Sequence, residues 1–76
     1  MVKTRLKDLR EDHDLLQKNL AEMLNIAQTT YSQYELSKRE VPYEIIIKLA
    51  SFYNTSVDYI LYLTDDKKPY KRKDRS

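Results

Sequence analysis

The sequence contains no cysteine, no glycine and no tryptophan, and only one histidine. Without cysteine there is no disulfide framework, and His13 alone gives no ligand set for a structural zinc, so stability has to come from an apolar core. No metal and no cofactor are expected. The missing glycine rules out Gly-rich phosphate-cradling loops and leaves asparagine as the best residue for left-handed turns, with Asn25 and Asn54 as candidates. No apolar run approaches the roughly 20 residues that span a bilayer, and the first seven residues lack the apolar stretch of a secretory signal. The expectation is a cytoplasmic location away from any membrane. With one histidine, no thiol and no clustered carboxylates, neither a nucleophile with its base nor an acid–base pair is available. Catalysis is not expected, and no small-molecule ligand is evident.

What remains is enough for one small domain, since a chain of 76 residues buries about 60% of its unfolded surface. Hydrophobic residues make up 41% and charged residues 34%, a globular balance. The net charge of +2 is unevenly spread: residues 1–63 hold eight Lys/Arg against nine Asp/Glu, whereas 64–76 hold six Lys/Arg against three Asp. Charge alone therefore does not mark a nucleic-acid binder. The division expected is a domain over 1–66 and a basic, flexible C-terminal tail over 67–76, whose removal should leave the domain folded.

The series Val2, Leu6, Leu9, His13 and Leu16 has helical spacing and predicts a first helix near 3–12. A second covers 17–24, with Leu20, Ala21 and Leu24 on one side and Asn25 ending it. A third covers 28–35, with Tyr31 and Tyr34 on one face. Pro42 suits the first turn of a fourth, which Ile46, Leu49, Ala50 and Tyr53 continue to Asn54. Ser56 caps a fifth, with Asp58 in its first turn and Val57, Ile60 and Leu61 facing inward. The fold class is all-α.

Helices 2 and 3 are separated by three residues, with small Ala21 in the first and Asn25 reversing the chain. If Ile26, Tyr31 and Tyr34 anchor helix 3, its other face carries Gln28, Thr29, Ser32 and Gln33. Glutamine pairs bidentately with adenine N6 and N7, and Ser or Thr contacts base edges or a thymine methyl. From composition alone, a solvated face opposite an apolar stripe would look the same. The stretches 17–24 (QKNLAEML), 28–35 (QTTYSQYE), 47–50 (IKLA) and 55–61 (TSVDYIL) resemble the Xre/Cro/CI family of phage and bacterial helix-turn-helix repressors over about residues 5–65. The resemblance implies a five-helix, lambda-repressor-like DNA-binding domain. Its function would be that of a transcriptional regulator on a double-stranded DNA operator, with helix 3 in the major groove.

It also implies particular roles. Gln28 and Gln33 match positions that read bases in phage 434 repressor-like members, while Thr29 departs from that pattern, so the operator sequence does not transfer. Gln17 and Lys18, together with Lys38, Arg39 and Tyr43, are the phosphate candidates, and Arg10 with Glu35 match a pair that ties the reading helix to the scaffold. Leu16 and Ala27 stand where the family usually caps helices with Ser or Thr, and Leu36 replaces a usual Asn; a DNA phosphate is the candidate replacement acceptor. A homodimer on DNA is expected, joined through helix 5 by Tyr59, Tyr62 and Leu63; the alternative is that Tyr62 and Leu63 fold back on helix 1 to enlarge a small core. The competing reading is a protein-interaction module that keeps this fold and has lost DNA binding, which the near-neutral body favours.

Overall fold

A computed structural model describes residues 3–69. Five helices follow one another: α1 Leu6–Asp12, α2 Gln17–Leu24, α3 Gln28–Glu35, α4 Tyr43–Phe52 and α5 Val57–Ile60, with no strand among the described residues. The fold is therefore all-α, as the periodicity requires. α2 packs on α3, α5 lies against α4, and α1 touches α3. Their apolar faces meet in one core, where Leu6, Leu20, Tyr31, Leu49 and Ile60 are sealed from solvent and Leu9, Ala21, Leu24, Tyr34, Ile46, Ala50, Tyr53 and Tyr59 complete the packing.

The first helix is shorter than its apolar series. It begins at Leu6, after Arg5, whose carbonyl accepts the first helical bond from Leu9 N–H and whose own N–H donates across the chain to Ile60 O, 2.8 Å away. Val2 lies outside the described residues, as do residues 70–76 of the expected tail. His13 and Leu16 have the spacing of the α1 face but not its fate. His13 caps the helix C-terminus, and Leu16, 58% exposed, stands before α2.

All five helices stop in the same way. Within two residues of each helix end the chain takes a left-handed conformation, at Asp14, Asn25, Ser37, Asn54 and Tyr62, with φ between 53° and 63°. The N–H that follows then reaches back over five residues, as in Leu15 to Arg10 O, Ile26 to Ala21 O, Lys38 to Gln33 O, Thr55 to Ala50 O and Leu63 to Asp58 O. This satisfies carbonyls that a helix end leaves unpaired, a task usually given to glycine. Starts differ from stops. Only α5 has a side-chain N-cap, Ser56 Oγ accepting from Tyr59 N at 3.0 Å, whereas Leu16 and Ala27 offer none. At α2, Asn19 Oδ1 instead accepts from Leu16 N at 2.8 Å, which orders the approach but leaves the first N–H groups open.

Candidate nucleic-acid interface

α3 is held by two tyrosines and an ion pair. Tyr31 and Tyr34 face the core, so residues one turn apart on the other side face out: Gln28, Thr29 and Gln33 are exposed and Ser32 is half-buried. These four occupy one continuous face, as the spacing of 28, 29, 32 and 33 dictates.

The far end of α3 is clamped to α1. Arg10 Nε donates to Glu35 Oε2 at 2.7 Å and Arg10 Nη2 to Oε1 at 3.2 Å, while Nη1 donates to Leu15 O at 2.9 Å. The fork is bidentate, and the side chains are 12% and 2% exposed. Burial disfavours the Glu35 charge, but hydrogen bonds from Arg10 and Gln17 outweigh it and hold the carboxyl below its ordinary range. The same bond raises the pKa of Arg10. Two phenols share this region: burial pushes Tyr31 strongly up and Tyr53 up to about 12, and the hydroxyls of both lie buried without a hydrogen-bond partner.

Gln17, a phosphate candidate, turns part of its side chain inward: Nε2 donates to Glu35 Oε1 at 3.1 Å. That bond uses one amide hydrogen and sets the start of α2 beside the end of α3. Lys18, Lys38 and Arg39 are exposed, and Tyr43 is 75% exposed at the start of α4. Arg39 also lines a small cleft with Thr4, Tyr34, Glu40, Val41, Ile46 and Leu61.

The expected dimer strip is divided. Tyr59 is only 8% exposed, so it is a core residue and cannot present a surface. α5 ends at Ile60, and the left-handed turn at Tyr62 carries Tyr62 and Leu63 outward, 44% and 70% exposed. The turn is closed by the helix end itself, where Leu63 N–H reaches Asp58 O at 2.8 Å, and against it packs Arg5, which the sequence does not single out. Its guanidinium stacks 4.2 Å from the Tyr59 ring centroid and 4.1 Å from that of Tyr62. A contact between residues so far apart in the chain leaves no periodic signal.

A family model described as helix-turn-helix matches residues 6–60, the span of all five helices. The chain belongs to the helix-turn-helix family. Within it, the chain is 45% identical over 65 residues to YobD of Bacillus subtilis (strain 168), named an uncharacterized HTH-type transcriptional regulator, covering 86% of this chain and 58% of that protein. Over 57 residues it is 40% identical to the HTH-type transcriptional regulator ImmR of the same organism, covering 75% of this chain and 45% of ImmR. It is 32% identical over 57 residues to the cryptic phage CTXphi transcriptional repressor RstR of Vibrio cholerae, covering 75% of this chain and 51% of RstR. The chain thus spans about half the length of these helix-turn-helix relatives.

Proposed function

We propose that this chain is a sequence-specific, double-stranded DNA-binding transcriptional regulator of the repressor kind, acting in the cytoplasm, with α3 in the major groove. The observation that carries this reading is the α3 face. It presents Gln28, Thr29, Ser32 and Gln33 without an acidic side chain, on a helix fixed at its far end by the Arg10–Glu35 fork. A reading helix needs that rigidity, because bidentate base pairing tolerates little displacement. Family membership and the similarity to the transcriptional regulator ImmR and the repressor RstR support the same reading. Lys18, Lys38, Arg39, Tyr43 and the second amide hydrogen of Gln17 supply phosphate contacts. The uncapped N-termini of α2 and α3 add backbone N–H groups.

One α3 covers only a few base pairs, so we further propose a symmetric dimer on two half-sites about 34 Å apart. Tyr62 and Leu63 form its self-contact, with Tyr59 acting from beneath as core.

The test begins with selection of bound sequences from a random duplex pool, followed by a salt series on the selected and random duplexes. Binding should weaken steeply between about 50 and 200 mM salt, and Lys38→Ala should reduce the log–log slope by about one. Binding without salt sensitivity or sequence preference would point to an interaction module instead. Sedimentation on a two-half-site duplex should find two chains per duplex for wild type, and reduced cooperativity for Tyr62→Asp with Leu63→Asp.

A further inference from the structure

A cleft opens on the core side of α3, between Thr4, the loop from α3 to α4, α4 itself and Leu61 after α5. Tyr34, Val41, Ile46 and Leu61 supply its apolar wall, and it encloses about 190 Å³. That is more room than a cavity of about 150 Å³ that holds a benzene molecule. Tyr34 and Ile46 belong to the core, and Val41 and Leu61 pack partly buried against it. The wall is therefore held in place by the fold, and a ligand need not order it.

Three polar groups border the wall. Arg39 and Glu40 are neighbours in the loop and both are exposed. Neither enters an ion pair among the described residues, where the pairs are Arg5 with Asp65 and Arg10 with Glu35. The Thr4 hydroxyl lies buried without a hydrogen-bond partner among the described residues. Small-molecule sites have this composition: apolar walls supply the affinity, and a few polar groups set the orientation.

We propose that this cleft binds a small zwitterion with a branched apolar side chain, of the class of a free, leucine-sized amino acid. The side chain lies on Val41, Ile46 and Leu61, the carboxylate meets Arg39 and the ammonium meets Glu40. A ligand of single charge satisfies one of these two residues and is repelled by the other, whereas a zwitterion meets both. The Thr4 hydroxyl, turning about its Cα–Cβ bond, gains the partner it lacks. Occupancy also bears on DNA, a consequence that rests on the reading of Arg39 as a phosphate contact. A carboxylate held by that guanidinium withdraws it from the duplex, so ligand and DNA each weaken the binding of the other.

The site is tested first without DNA, by following amide chemical shifts in NMR titrations with L-leucine, glycine, isocaproate and isoamylamine. Leucine should shift residues around the cleft saturably, and glycine, which has no side chain to bury, should not. Isocaproate lacks the ammonium and isoamylamine lacks the carboxylate, so each should bind about fivefold more weakly than leucine. Glu40→Gln should weaken leucine and isoamylamine but not isocaproate. Arg39→Ala should weaken leucine and isocaproate but not isoamylamine. No saturable shifts, shifts centred elsewhere, or loss of this crossed pattern overturns the site. On the selected duplex, saturating leucine should raise the Kd of wild type about fivefold, and an unchanged Kd overturns the coupling. A protein that binds leucine in the crossed pattern but binds no duplex overturns the DNA reading and upholds the site.

Discussion

At the scale of single residues, the side chains proposed to read bases are distinct from the side chains that hold the fold. The side chains of Gln28 and Gln33 are exposed on the outer face of α3, where the proposed function has them meet a base. Truncating either to alanine should weaken operator binding by about 1–3 kcal/mol and leave binding to random duplex nearly unchanged, as measured by competition titration. Arg10 and Glu35 belong to the other group. Arg10→Ala strands a buried carboxylate and should cost about 3–5 kcal/mol, read by urea denaturation. The pH dependence follows from the same residues. Because the folded pKa of Glu35 lies below its unfolded value of 4.5, its contribution is complete above that value and is lost as pH falls through the lower folded one. Tyr53 acts at the opposite limb: raised from 10.0 to about 12 by burial, it favours the folded state below pH 10 and ceases to do so as pH climbs through that interval. Melting curves across pH should therefore show a plateau with two falling limbs. Glu35→Gln should flatten the acid limb. Tyr53→Phe should reduce the alkaline limb, leaving the part that the more strongly raised Tyr31 sets, at little cost in stability, since the buried Tyr53 hydroxyl has no partner to lose.

At the scale of helices, the ends are where stability is least optimised. Leu16→Ser and Ala27→Ser should each add about 1 kcal/mol by accepting an N–H that is now uncapped. Asp14→Gly should add up to about 1 kcal/mol by relieving a left-handed residue. Differential scanning calorimetry would register each as a rise of about 4–8 °C per kcal/mol. The cap substitutions should also alter DNA binding, because a serine hydroxyl competes with phosphate for the same N–H groups. The helices themselves were legible because apolar spacing reports burial directly: α2 and α3 run over the residues their periodicity indicates, and Ser56 caps α5 as its position suggests. Asn25 and Asn54 were legible as left-handed residues because their side chains favour that conformation. Asp14, Ser37 and Tyr62 were not, since only the bonds of the finished helix end force them into it. The α3 face was legible for the same reason as its core side, being the complement of Tyr31 and Tyr34. The burial of Tyr59 was hidden, because residues that surround it, Arg5 and Leu9 among them, lie at the other end of the chain.

For the molecule as a whole, the described chain is closed by contacts between its two ends. Thr55 Oγ1 donates to Lys67 O at 2.7 Å, which brings the residue after the proposed domain boundary onto the body. A chain ending at Asp66 gives up that bond and leaves a buried hydroxyl unpaired, at a cost of about 1–3 kcal/mol. A chain ending at Pro69 keeps it. Parallel denaturation of the two truncations should find the shorter one less stable, and equal midpoints would show that Lys67 adds nothing to the fold.

The clasp that Arg5 forms bears on time as well as on shape. Arg5 Nε donates to Tyr59 O at 2.7 Å, and Nη2 donates to Thr64 O at 3.2 Å and to Asp65 Oδ1 at 3.0 Å. These bonds join positions 54 to 60 residues apart, whereas the bonds that end the helices reach back only three to five residues. Closing so long a loop carries an entropic cost that local turns avoid, so the clasp is set only after the helices have formed and packed. Contacts made after the folding barrier slow unfolding and leave the refolding rate almost untouched. The joined ends therefore govern how long a folded molecule lasts before it opens, and a weakened clasp would shorten that lifetime in a domain that still folds at its usual speed.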